Sequence, residues 1–195
     1  MGVVLLILCG VLISSSPGCG LFEPRTPEAP SQPSLNSNPP TDPTIVIANL
    51  QSAIDQKNVA NYISCFADPL KTTRTFVFTA SADASALYAG VLSSWTRDEE
   101  QSYFQNLIAR SPSGAFASLL LTLKSSTVTP DSVVYNYDYT FTFEHADPGF
   151  PKTARGNLQF TLATDNNNFW MIYRWIDYKT TNDATWSLFK GKFAN

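Results

Sequence analysis

The sequence predicts an α+β fold, with N-terminal helices packed on one face of a curved antiparallel sheet. Three observations lead there. Apolar residues recur at helical spacing as far as about residue 109, and from about residue 116 they alternate with a period of two. Runs of helices followed by runs of strands make an α+β domain. The chain of 195 residues is 44% hydrophobic, 13% aromatic and 15% charged, which supplies one well-filled core and excludes a disordered protein. A net charge of −3 gives no electrostatic basis for a nucleic-acid partner.

The elements follow in order. Thr41 or Asp42 caps a first helix, Pro43 suits its first turn, and Val46, Leu50, Ala53 and Ile54 form its apolar stripe up to Lys57. A second helix over 59–67 places Tyr62, Ile63 and Phe66 on one side and stops at Asp68-Pro69. Phe76 and Phe78 alternate with Thr75 and Val77 in a strand over 73–79, and residues 80–95 read as a loop with a helical turn near 84–87. Thr96 with Glu99 forms a capping box for a third helix, whose buried stripe is Tyr103, Phe104, Leu107 and Ile108. Strands are expected over 116–128, 133–144, 157–163 and 169–178. The last has apolar residues of both parities, which predicts cover on both faces, by helices on one and by a partner or the C-terminal segment on the other. Residues 183–193 close the domain as a short helix or an added strand.

Ahead of this domain lie two segments of another kind. Residues 2–13 are apolar and uncharged, too short for the roughly 20 residues that span a bilayer and right for a secretory leader. Ser14-Ser15-Ser16-Pro17-Gly18-Cys19 follows and resembles the lipobox of bacterial lipoprotein precursors, which implies cleavage before Cys19 and acylation of its thiol. Ser16 stands where that family usually has Leu, and no Lys or Arg precedes Arg25. Residues 20–43 hold seven of the thirteen prolines. Such a segment favours polyproline II, and at about 3.1 Å per residue it reaches roughly 75 Å. The expected organisation is a leader over 1–18, a lipidated Cys19 with a Pro-rich tether over 19–43, and a folded domain over 44–195. By the same resemblance the address is the bacterial cell envelope, with Gly20 favouring the outer membrane.

The folded part also resembles a family. The helix over 45–55, the helix over 62–67, the helix start Trp95-Thr96-Arg97-Asp98-Glu99-Glu100 and the strand Phe169-Trp170-Met171-Ile172-Tyr173-Arg174-Trp175-Ile176-Asp177 come in the order of the nuclear-transport-factor-2-like, or SnoaL-like, cone fold. The likeness spans about residues 44–180 and is similar in particular to lipid-anchored bacterial members. A lipocalin-like barrel is the competing architecture, but three helices ahead of the long strands argue against it. Cone-fold enzymes work from a pocket between helices and sheet, with an acid beside Tyr or His.

Few residues here suggest chemistry. Tyr135, Tyr137 and Tyr139 share one face of their strand and, with Trp170, are candidate pocket residues, the alternative being ordinary core packing. Asp138 alternates onto the polar face, and Asp177 with Arg174 reads as an exposed or locally paired charge set. His145, between Glu144 and Asp147, is the one possible neutral-pH proton shuttle, though a strand end beside Pro148-Gly149 favours an exposed surface histidine. Cys65 is expected to pack as a small hydrophobe. No phosphate loop, serine elbow, cysteine pair or metal-ligand set is present in the sequence, and no cofactor is expected. Two functions remain open. One is a non-catalytic, membrane-tethered module that binds a small apolar ligand or a protein partner, including a second copy through the sheet. The other is a lipid-anchored isomerase, cyclase or hydratase. A pocket holding a desolvated carboxylate beside Tyr or His favours the enzyme, and a pocket filled by its own aromatics favours the module.

Overall fold

The structure, a computed structural model, describes residues 37–194. The leader, Cys19 and the tether as far as residue 36 lie outside the described residues. Helix α1 (Pro43–Asp55) starts where Asp42 accepts the Thr44 N–H at 2.8 Å, and it buries Val46, Ile47, Leu50, Ala53 and Ile54. Lys57 ends the run in the left-handed region at φ 52°. Its ammonium donates to Ser111 Oγ at 2.7 Å and to the Ala115 carbonyl at 2.6 Å, which offsets the cost of that backbone for a residue with a Cβ. Folded contacts begin ahead of residue 44: Asn38 and Asn49 exchange two hydrogen bonds, and the Trp170 N–H donates to the Pro40 carbonyl at 2.8 Å.

Helix α2 (Val59–Ser64) stops three residues short of the expected 67. The backbone at 65–67 pairs with the last strand instead, where Ile172 N–H donates to Cys65 O and Ala67 N–H to Ile172 O. That pairing also occupies the sheet edge beside Ile172, so β1 is only Val77–Thr79, pairing in parallel with Arg174–Ile176. Residues 80–95 form two short helices, α3 (Ala82–Leu87) and α4 (Ala89–Leu92), rather than a loop with one turn. Helix α5 (Arg97–Ala109) begins at the expected capping box of Thr96 and Glu99.

Four long strands follow: β2 (Ala117–Val128), β3 (Val133–Phe143), β4 (Thr153–Thr164) and β5 (Trp170–Tyr178). The sheet order is β1-β5-β4-β3-β2, antiparallel except at β1. Register shifts at Leu123/Ser125 and Thr161/Leu162 bend the sheet. Gly156 is where β4 and β5 close up, since a Cβ there would stand 2.5 Å from the Tyr178 carbonyl. Helix α6 (Trp186–Phe193) resolves the C-terminal alternative in favour of a helix. No helix among the described residues is long and apolar enough to cross a membrane.

The expectation for β5 is corrected by the second register shift. Leu162 pairs with Ile172 but Thr161 pairs with Arg174, so Tyr173 is an extra residue and the phase changes there. Ile172 and Trp175 thus both face the core, each fully buried, despite opposite parity. The two-sided apolar pattern thus reflects a bulge in its second half, while at the turn end both faces are covered, with the neighbours Met171 and Ile172 both buried. Helix α6 packs on the same side as the other helices, with Trp186 and Trp175 ring centres 4.6 Å apart. The outer face carries Asn136, Asp138, Asn157, Gln159 and Arg174, a polar surface joined by the pairs Asn157–Asp138, Gln159–Asn136 and Lys124–Asp138.

Candidate functional site

The concave side of the sheet is where a cone fold keeps its cavity. Here α6 occupies it. Trp186, Phe189, Lys190 and Phe193 recur at helical spacing, and all four are fully buried. Trp186 stacks on Phe141 at 4.3 Å, and its indole N–H donates to Tyr103 Oη at 2.9 Å.

A buried ion pair forms the centre of this plug. The Lys190 ammonium meets both carboxylate oxygens of Glu100, and neither side chain is exposed. Glu100 also accepts Tyr62 O–H at 2.5 Å and Trp95 N–H at 2.7 Å. Ring faces surround the ammonium, with Trp175 at 3.9 Å, Phe78 at 4.5 Å, Tyr103 at 5.0 Å and Trp95 at 5.4 Å. Burial pulls Lys190 down to about 8, opposed by the charge of Glu100. The phenols of Tyr62 and Tyr103 are pushed well up by burial and then by the Glu100 charge, so both keep their protons.

A second carboxylate lies nearby. Asp177 accepts Tyr139 O–H at 2.9 Å on one oxygen, and Ser187 N–H at 2.7 Å and Ser187 O–H at 2.5 Å on the other. Tyr139 Oη in turn accepts the Trp186 N–H at 2.8 Å. Burial raises Asp177 above the ordinary carboxylate range, against the lowering effect of those donors. The sheet thus clasps the start of α6. The oxygens of both acids are spent on the chain's own donors, and neither acid is among the residues that line the mouth cavity.

One cavity, about 320 Å³, opens at the mouth between α1, α2 and the β4–β5 turn. Ile63, Cys65, Phe66, Trp170 and Met171 give it an apolar lining, and Arg97 reaches it from the first turn of α5. Asp68, Lys71 and Asp165 stand along it as well.

Of the candidate pocket residues, Trp170 lines this cavity. Tyr139 is taken up in the Asp177 clasp, while Tyr135 and Tyr137 pack against each other at 5.7 Å, away from it; Tyr137 lines a second hollow of about 380 Å³ with Lys124, Asn157, Gln159 and Tyr178. Two expectations are corrected. Asp177 is 1% exposed rather than part of an exposed charge set, because α6 lands on its end of β5. His145 is 2% exposed rather than a surface histidine, because Phe150, Phe189 and Phe193 close around it. Its Nε2–H donates to the Pro151 carbonyl at 3.1 Å, and Nδ1 is buried without a partner. Glu144 and Asp147 turn elsewhere, Asp147 to Lys192 at 2.9 Å, and no acid–histidine–cysteine cluster among the described residues would hold a metal. Asp138 lies on the outer face beside Lys124. Cys65 is buried with its thiol pushed up to about 12 by desolvation.

Sequence reasoning missed Glu100 and Lys190, although both carry a signal. Glu100 is in helical phase with Tyr103, Phe104 and Leu107, and Lys190 with Trp186, Phe189 and Phe193. A charged residue inside an apolar stripe marks a buried partner.

No protein-family model matches the chain, and no curated protein matches it in sequence. Solved structures do. A conserved protein from Planctomyces limnophilus superposes with a TM-score of 0.53 at 9% identity, covering 69% of this chain and 91% of that one. A ketosteroid isomerase-like protein from Erwinia carotovora atroseptica gives 0.50 at 11%, covering 71% and 93%. A protein of unknown function from Mycobacterium tuberculosis, 14% identical with a TM-score of 0.48, is covered over 66% of its length by 68% of this chain. The fold is the nuclear-transport-factor-2-like, ketosteroid isomerase-like cone, as the order of elements led one to expect.

Proposed function

We propose that this chain is a lipid-anchored protein of the bacterial cell envelope, acylated at Cys19, whose cone domain binds a small apolar ligand at its mouth without catalysing a reaction. The observation that carries the non-catalytic part is the occupied interior. The space in which a cone-fold enzyme would hold substrate against an acid is filled by Trp186, Phe189, Lys190 and Phe193 of the chain's own α6. The mouth cavity has an apolar lining suited to hydrophobic binding, and its size falls at the lower end of the roughly 300–1,000 Å³ of small-molecule sites. A protein partner or second copy has its own foothold on the edge strand β2, where Leu120, Leu123 and Val128 stand exposed.

Mass spectrometry of the protein purified from membranes tests both halves. The mature N-terminus is expected at Cys19 carrying acyl groups, the outer membrane being the favoured address. An unmodified terminus elsewhere removes the anchor from this reading. Native mass spectra are expected to show a small bound ligand that Trp170→Ala loses, and turnover of that ligand would reject the non-catalytic assignment.

A further inference from the structure

The mouth cavity has one polar group whose bonding is incomplete. Arg97 donates from a terminal nitrogen to the Ile63 carbonyl at 3.2 Å, while its Nε–H is buried and has no acceptor. No ion pair to Arg97 forms among the described residues. Each of the two carboxylates along the same cavity has an oxygen engaged by the chain's own donors. Asp165 Oδ1 accepts Asn167 N–H at 2.8 Å and Phe169 N–H at 3.0 Å, fixing the β4–β5 turn. Asp68 Oδ1 accepts Leu70 N–H at 3.0 Å, and its other oxygen lies 4.0 Å from the Lys71 ammonium.

A guanidinium presents five N–H donors in a planar fork that matches a carboxylate, and it cannot shed its charge to relieve burial. A buried donor left unpaired beside an apolar hollow is the arrangement that an amphipathic anion completes. We propose that the mouth cavity takes a medium-chain aliphatic carboxylate, its head group on Arg97 and its tail against Ile63, Phe66, Trp170 and Met171. This rests on the cavity being a ligand site, as set out above, and goes further in naming the ligand's chemistry. At about 320 Å³ the cavity admits a tail of about eight to ten carbons and excludes a two-chain phospholipid.

The test is isothermal titration of the full-length chain with octanoate, 1-octanol and acetate. Octanoate is expected to bind at least tenfold more tightly than either of the others, since octanol lacks the charge and acetate the tail. Arg97→Gln is expected to weaken octanoate at least tenfold and leave octanol unchanged, and Arg97→Lys to recover part of the loss. The comparison of the three ligands on the unaltered chain stands even if a variant folds poorly. Equal binding of octanol and octanoate overturns the carboxylate and leaves the apolar site standing. Tighter octanoate binding that ignores Arg97→Gln also overturns it, by putting the head group elsewhere. Failure of both eight-carbon ligands to bind overturns the carboxylate and the mouth site together.

Discussion

Lys190→Met removes the buried ammonium while leaving most of the aliphatic stem in place. Glu100 then keeps two donors, Tyr62 O–H and Trp95 N–H, but loses the one positive charge that meets both its oxygens. Removing one partner of a buried pair costs about 3–5 kcal/mol, because an uncompensated charge stays behind. Loss of ammonium–ring attraction adds to this, at about 0.5–2 kcal/mol for a desolvated contact. Glu100→Gln strands the ammonium in the same way, at a similar cost. The double variant Glu100→Gln/Lys190→Met removes both charges of the pair. It is expected to lose about as much as one single variant rather than the sum, a coupling of roughly 3 kcal/mol or more. Equilibrium urea unfolding, followed by tryptophan fluorescence, measures all four corners of the cycle. Additive losses, or a loss below about 1 kcal/mol for Lys190→Met, would refute a charged pair sealed in the core.

Three other outcomes follow from the same packing. Burial raises Asp177, so its contribution to stability is full below the unfolded carboxyl value of about 3.9 and is lost as pH rises through its higher folded value. Unfolding free energies of the natural chain and Asp177→Asn, compared between pH 4 and pH 8, should therefore diverge in favour of the natural chain as pH falls; parallel profiles would contradict this. Gly191→Ala should destabilise although alanine is the better helix former by about 1 kcal/mol. Its Cβ would lie 2.3 Å from Tyr88 Cδ2 and 2.4 Å from Cγ, and a neutral or raised melting temperature would disprove that contact. In a chain with Cys9 and Cys19 changed to serine, Cys65 should resist a thiol reagent at pH 8 and react fully in denaturant, since its thiol is buried and pushed up to about 12.

Where the sequence pattern was legible, the physics was local. Asp42, Thr96 and Glu99 declare helix starts through their own side-chain bonds, and alternation along β3 assigns Tyr135 to Phe143 to one face without reference to any other element. What was hidden depended on distant pairing. Helix α2 ends at Ser64 because Ile172 claims the backbone of the next residues, and β1 is short for the same reason. The bulge at Tyr173 inverts the faces of β5 through its register with β4, which no window within β5 can reveal. His145 and Asp177 looked exposed for a related reason, since each lies at a strand end and the return of α6 covers them, joined at His145 by Phe150. The site followed the same rule: Trp170 lies in a strongly apolar strand, but Arg97 looked like an ordinary first-turn residue until α2 and the β4–β5 turn came up beside it.

Occupation of the interior and position of the mouth are two sides of one arrangement. Once α6 brings Trp186, Phe189 and Phe193 onto the sheet, its next inward position must hold a side chain too, and Lys190 is accepted there because α5 supplies Glu100 in phase. That fixes the helix in one register, since sliding it by a turn would put the ammonium among rings with no carboxylate. With the cone closed from the C-terminal side, the mouth cavity lies at the opposite approach, where residues 37–40 join the body and Ser37 and Pro40 line it.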